Sequence, residues 1–368
     1  MQSAFHLVPA WFWGSAVFLF GAVWGSFLNV CIWRMPRDES VITPGSHCGS
    51  CQAPIPWYDN IPLISYFVRG GKCRKCGASF SFRYWLVEFL NAALWLLVWS
   101  HFHADRGWPV VLSYCLLISM LLIGTFIDFE FYIIPDRITL GLVVTGFLLS
   151  ILFPSLQGAT SRVEAAARSF LGILAGALSL LLIVEMGKLF FGRLKIQFDQ
   201  ATEIEITTDK LVFPEHEVHW DEIFFRRSDR IRFQAKSLTW KGQTFENVPV
   251  KISETHIEVN DQKYLLSDTG KIVATTDALE IPREAMGLGD VKLMAGIGAF
   301  VGWKAIVFIL MASALVGSVV GITLVILRMR ELQGKIPYGP YIALAAVAWL
   351  FVGQDIVNWY WNLTTPRY

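Results

Sequence analysis

Gly287-Leu288-Gly289-Asp290 sets a carboxylate at the start of a long apolar run, just past a polar stretch. A charge at the bilayer centre costs roughly 2.5–3.5 kcal/mol on insertion scales, so an acid at a membrane boundary is a functional candidate. Gly287 and Gly289 let the backbone bend and pack closely where that acid is presented. A second acid, Asp128, closes another apolar run in Thr125-Phe126-Ile127-Asp128. If the two runs cross in opposite senses, both carboxylates sit at one depth and can meet at one water. Two carboxylates about 3 Å apart cannot both ionise, so one proton is shared. One carboxylate then takes a proton from water while the other gives one to a scissile carbonyl, the chemistry of an aspartic protease.

Other residues near these runs compete for roles. Glu130 and Asp136 rival Asp128, although Asp136 follows Pro135 and is expected to cap the next helix. Asp290 at a helix start is also favoured by the helix dipole without any catalysis. Lys292 either tunes Asp290 or reaches for the interface, and Glu88 either pairs with Arg83 or lines the site. His216-Glu217-Val218-His219 has the wrong spacing for a zinc-protease helix and reads as solvated surface. No Gly-x-Ser-x-Gly elbow is present, which disfavours a serine hydrolase.

Four cysteines form a second constellation. Cys48-x2-Cys51 and Cys73-x2-Cys76 follow the zinc-ribbon pattern of paired knuckles, with Gly49 and Gly77 suited to the tight turns. A structural Zn²⁺ would fold a loop too small and polar to bury a core. A disulfide is the weaker alternative in a reducing compartment. Cys31 and Cys115 lie inside apolar runs and read as small buried hydrophobes.

The elements that must position these groups are membrane helices. The 368-residue chain is 54% hydrophobic and 17% charged, with 15 Trp and 27 Phe, and its mean hydropathy is +0.48. Apolar stretches of about 20 residues can each cross a ~30 Å hydrocarbon core. Eight spans are expected, near 11–33, 84–101, 108–127, 138–153, 169–192, 287–302, 305–327 and 340–360. A net charge of +1 argues against nucleic-acid binding. The first run exceeds signal-peptide length and lacks a basic start, so it reads as a span. Arg34, Arg37, Arg69, Lys72, Arg74, Lys75 and Arg83, with Arg328, Arg330 and Lys335, mark the cytoplasmic side. Asp128 and Asp290 then both fall at that face. The expected organisation is a first helix (1–33), a cytoplasmic four-cysteine loop (34–83), helices two to five (84–192), a soluble insertion (193–283) and helices six to eight (284–368).

The insertion alternates polar and apolar residues in Glu203–Ile206, Arg230–Phe233 and His256–Val259, the period of half-buried strands. Turn residues follow at Lys241-Gly242 and Asn260-Asp261. The fold class is therefore an α-helical polytopic membrane protein carrying a zinc-ribbon-like loop and an inserted β-rich domain.

Six ordered motifs resemble the bacterial prepilin peptidases, the GxGD-type membrane aspartic proteases. They are Gly25-Ser26-Phe27-Leu28-Asn29-Val30, Asp59-Asn60-Ile61-Pro62, Arg83-Tyr84 with Glu88, Ile127-Asp128 followed by Pro135-Asp136, Gly287 to Leu293, and Lys335 to Tyr341. The resemblance implies that Asp128 and Asp290 are the catalytic aspartates. It implies a bacterial inner-membrane enzyme, active toward the cytoplasm, that removes the basic leader of type IV prepilins or type II secretion pseudopilins. It also implies methylation of the new N-terminus with S-adenosylmethionine and connects the four-cysteine loop with that activity; no methyl-donor fingerprint is visible in the residues. The insertion departs from the family pattern. It could gate the site, bind the prepilin body, or dock pilus or secretion assembly proteins. Two readings compete: a proton- or cation-coupled transporter using the same acids, and a non-catalytic scaffold. The lack of inverted repeats counts against the transporter.

Overall fold

A computed structural model describes residues 9–191, 193–213, 217–224, 229–260, 262–282, 287–327 and 336–364. His216, Asp261, Arg328, Arg330 and Lys335, singled out in the sequence, lie outside these residues. The chain forms two compact units: Met1–Leu180 with Leu288–Tyr368, and Leu181–Gly287.

Eight helices dominate the described chain outside 193–282. They are α1 (Ala10–Arg34), α2 (Arg83–Phe102), α3 (Trp108–Phe131), α4 (Asp136–Leu152), α5 (Arg162–Phe191), α6 (Leu288–Val301) and α7 (Trp303–Ile326), with α8 (Gly339–Thr364) interrupted by a π turn at Trp349–Gly353. Six are long and apolar enough to cross a membrane. The exceptions among the expected spans are α4, of 17 residues, and α6, of 14. At 1.5 Å per residue these reach about 26 and 21 Å, short of a ~30 Å hydrocarbon core.

A short helix is tolerated at membrane depth only if its end groups find partners inside the protein. The C-terminal end of α6 meets this condition. The Ala299 carbonyl accepts from Ser169 Oγ at 2.8 Å, Gln157 Nε2 at 2.8 Å and Ser150 Oγ at 3.1 Å. Gln157 also donates to the Phe300 carbonyl at 3.1 Å. Close packing completes the burial. A Cβ on Gly172 would lie 2.1 Å from the Gly298 carbonyl oxygen, and one on Gly176 would lie 2.4 Å from that of Met294. The backbones of α5 and α6 therefore touch, the small-residue packing by which membrane helices associate without a hydrophobic driving force.

The α1–α2 pair is built the same way. A Cβ on Gly25 would lie 2.7 Å from Glu88 Cα. Asn91 donates to the Gly21 carbonyl at 2.7 Å, and Asn29 to the Tyr84 carbonyl at 2.9 Å. Ser119 on α3 donates to Asn91 Oδ1 at 2.9 Å, carrying the polar chain across three helices.

The second unit holds an eight-stranded antiparallel sheet: β1 (Arg193–Ile206), β2 (Lys210–Val212), β3 (Glu217–His219), β4 (Ile231–Trp240), β5 (Gln243–Ile252), β6 (His256–Val259), β7 (Gln262–Leu265) and β8 (Ile272–Pro282), ordered β3-β2-β1-β8-β4-β5-β6-β7. Lys241 and Gly242, both at positive φ, turn β4 into β5, as Lys-Gly turn chemistry suggests. Ile204, Leu238, Ile252, Ile257 and Ile272 form its core. Arg193 pairs with Pro282, so the entering and leaving strands are neighbours. Such adjacent ends let a domain be spliced into a loop at small cost. The sheet's outward side chains are cross-linked by Lys271–Glu205 at 2.6 Å and Lys236–Asp277 at 2.8 Å.

Candidate active site

Helix α3 continues through Phe131, one turn past the boundary expected from hydropathy. Asp128 therefore lies inside its last turn rather than after its end. Asp290 occupies the first turn of α6. Successive helices alternate in sense, so the end of α1, the start of α2, the end of α3 and the start of α4 share one end of the bundle. Both aspartates are buried, at 5% and 9% exposure, and their carboxyl groups lie within electrostatic reach of one another.

Their environments differ. Asp128 Oδ2 accepts the Gly339 backbone N–H at 3.0 Å. A Cβ on Gly339 would stand 2.8 Å from that oxygen and 2.8 Å from Ile134 Cδ1, so only glycine brings the backbone this close. Asp290 Oδ1 is buried and has no hydrogen-bond partner among the described residues. A carboxylate kept for structure is normally satisfied, and such an exception calls for a functional account. Gly289 packs on Ile134, where a Cβ would lie 3.3 Å from that residue's Cβ, and Gly287 is exposed just ahead of α6. Tyr338, also within electrostatic reach of Asp290, is fixed by a 2.8 Å hydrogen bond between its hydroxyl and that of Ser313.

The rivals separate from the pair. Glu130 forms an ion pair with Arg83. Asp136 does not cap α4: the capping position belongs to Pro135, and Asp136 instead bonds Lys292 Nζ at 2.6 Å. Lys292 is thereby tied to the start of α4. Glu88 does not pair with Arg83; its Oε2 accepts the Leu63 N–H at 2.7 Å. Leu63 sits at φ 65, a costly backbone state for a non-glycine residue. Three motifs remote from the acids thus converge: Gly25 and Asn29 on α1, Glu88 on α2, and the Asp59–Leu63 stretch. Sequence reasoning assigned no role to Gly339. Its signal was a glycine before Pro340 at the opening of a span, which frees an N–H to serve another residue.

The cysteines also converge. All four Sγ atoms lie within 4.8 Å of one another, with Cys48 to Cys76 at 3.8 Å and Cys51 to Cys73 at 4.0 Å. A tetrahedral ion bound at about 2.3 Å to four sulfurs requires sulfur separations of about 3.8 Å, so the set fits a metal. The two knuckles repeat each other. Gln52 and Gly77 N–H donate to the Cys48 and Cys73 carbonyls, while Cys48 and Cys73 N–H donate to Ala53 and Ala78. Gly77 takes positive φ as expected, but in the first knuckle the left-handed residue is Gln52, not Gly49. Backbone N–H groups of Cys76 and Lys75 hold the Cys73 thiol down to about 6. Against the Ala78 N–H, the thiols of Cys51, Cys73 and Cys48 push Cys76 up to about 11. Four thiolates cannot share this space without a cation, which a bound metal would supply.

The chain is similar to known proteins over nearly its whole length. The type IV leader peptidase family model matches residues 115–195 and 271–322, and the bacterial peptidase A24 N-terminal domain matches 19–102. The gap in the first match falls on the inserted sheet. The prepilin leader peptidase/N-methyltransferase of Aeromonas hydrophila is 30% identical over 96% of each chain. That of Legionella pneumophila is 25% identical over 98% of each, and that of Myxococcus xanthus 41% identical over 37% of this chain and 40% of its own. No solved structure matches the chain.

Replacing Glu88 by Ala leaves the partly buried Leu63 N–H without its acceptor, a loss of at most about 1–3 kcal/mol. Hydrogen exchange at the Leu63 amide should accelerate in Glu88→Ala and stay slow in Glu88→Gln, which keeps a carbonyl acceptor. Equal protection in all three proteins would show that the clasp does not hold the loop.

Proposed function

Because the chain belongs to the type IV leader peptidase family, we propose that it is a multi-pass inner-membrane aspartic endopeptidase in which Asp128 and Asp290 activate one water against the leader junction of a prepilin or pseudopilin. The carrying observation is the unpartnered, buried Asp290 Oδ1 within electrostatic reach of Asp128. One carboxylate removes a proton from water as its oxygen attacks the scissile carbonyl carbon. The other donates a proton to the carbonyl oxygen. Collapse of the tetrahedral centre breaks the C–N bond as the first carboxyl gives its proton to the departing amine and the second carboxylate takes one back from a hydroxyl of the centre, which restores the starting pair. The Gly339 N–H orients Asp128 during these transfers. Gly289, inside the first turn of α6, lets that turn pack on Ile134 where it presents Asp290, and Gly287 leads into it.

The basic loop between α1 and α2 supports a cytoplasmic location for this end of the bundle. A prepilin would present its leader junction there, on the cytoplasmic side of its own apolar helix. The location does not favour a transporter, whose ion sites lie near mid-membrane between repeats. The proposed domain division follows the functions: 1–33 and 84–192 with 284–368 for the protease, 34–83 for a structural Zn²⁺ held by Cys48, Cys51, Cys73 and Cys76, and 193–283 for docking pilus or secretion assembly proteins. The relatives are named as N-methyltransferases as well, and in this reading the new N-terminal amine is the substrate for methylation, with S-adenosylmethionine as the group that would supply the methyl.

Incubation of the solubilised full chain with a prepilin should release the leader. Asp128→Asn and Asp290→Asn should each slow release by about 10²–10⁴-fold, the contribution of positioned acid–base groups. Cleavage undiminished in both variants would refute the pair. Metal analysis should find about one zinc per chain, lost in Cys48→Ser/Cys76→Ser; unchanged content would refute the knuckle site.

A further inference from the structure

The 21 residues between Cys51 and Cys73 form a hairpin closed at its base by the cysteine knuckles. Its tip is apolar and uncovered. Trp57 is 79% and Val68 76% exposed, and Ile61, Ile64 and Phe67 are exposed beside them. Ile64, Phe67 and Val68 lie on one face of the short helix Ile64–Val68. An apolar patch of this kind on a folded surface marks an interaction site.

Its continuity with α2 identifies the occupant. Phe67 packs on Trp85 with ring centroids 5.4 Å apart, and Trp85 stacks on Phe82 and on Phe89, each at 5.1 Å. Phe89 is itself exposed on the side of a spanning helix, so the hairpin tip extends a surface already turned to lipid. Charge agrees with this placement. Residues 40–82 contain one acid, Asp59, and four cations, Arg69, Lys72, Arg74 and Lys75. Asp59 is neutralised by Arg74 at 2.8 Å and Arg69 at 3.8 Å, while Lys72 and Lys75 remain exposed at the knuckle base of the same hairpin. Aromatic and aliphatic residues flanked by cations are the composition of segments that lie in an anionic membrane interface. The Leu63–Glu88 clasp fixes the tip against the start of α2.

We infer that Trp57–Val68 is a membrane anchor, inserted among the headgroups and upper acyl chains of the leaflet at the aspartate end of the bundle, which holds the cysteine knuckles flat on the bilayer. This placement goes beyond the proteolytic reading and stands apart from it.

The test uses the full chain in nanodiscs of phosphatidylcholine and phosphatidylglycerol. The photoreactive residue p-benzoylphenylalanine is placed singly at Ile64, at Val68, at Leu315 on the exposed side of α7, or at Thr239 on the exposed face of β4. Lipid adducts are then read by mass spectrometry. Adduct yield at Ile64 or Val68 within about threefold of Leu315, with only background at Thr239, is the expected result for an inserted segment. Background yield at both tip positions would overturn the anchor. So would lipid adducts that disappear in favour of peptide adducts when a prepilin is added, since the tip would then be a substrate-docking face. Two independent exposed positions keep the test decisive if one substitution disturbs folding.

Discussion

Two buried carboxylates within electrostatic reach of one another are the constraint on which the rest of this structure depends. Neither could be buried cheaply alone, and their mutual repulsion makes the pair harder still to assemble. The surrounding helices can be understood as the means of enforcing that meeting. Helix α6 is too short to cross a bilayer by itself, so Asp290 enters the protein at the level of Asp128 rather than at a solvated helix end. The carbonyls at its far end are satisfied by Ser150, Gln157 and Ser169. Gly172 and Gly176 let α5 press backbone against backbone along its length.

The two aspartates are not equivalent. Asp128 is oriented by a backbone donor from Gly339, the residue that opens the last helix. Asp290 keeps an oxygen with no partner among the described residues. This division resembles the general logic of paired acid–base groups, in which distinct surroundings separate the roles of chemically identical side chains. It also connects a distant segment to the proposed reaction, since the start of α8 must be in place for Asp128 to be oriented.

Much of this was legible in the sequence because its signals are local or strongly periodic. Apolar run lengths revealed the helices, alternation revealed strands in the insertion, and the twin Cys-x2-Cys spacing revealed the knuckles. What could not be read depends on partners far along the chain. The pairing of Lys292 with Asp136 spans 156 positions, and the Gly339 bond to Asp128 spans 211. Local capping logic suggested that Asp136 caps its own helix, and tertiary pairing overrode it. The same applies to Glu88, whose partner is a backbone amide in the loop rather than neighbouring Arg83. Gln52 in the left-handed position shows a different limit: glycine marks such turns often, but the knuckle geometry dictates the conformation whichever residue occupies it.

The central claim is that both carboxylates grip one tetrahedral centre. Calorimetric titration of the solubilised protein with a prepilin peptide carrying a hydroxyethylene in place of the scissile amide measures that grip without catalysis. The account expects tight binding that weakens by about 10²-fold or more in Asp128→Asn and also in Asp290→Asn, as loss of transition-state complementarity requires. Equal affinity in wild type and both variants would contradict it.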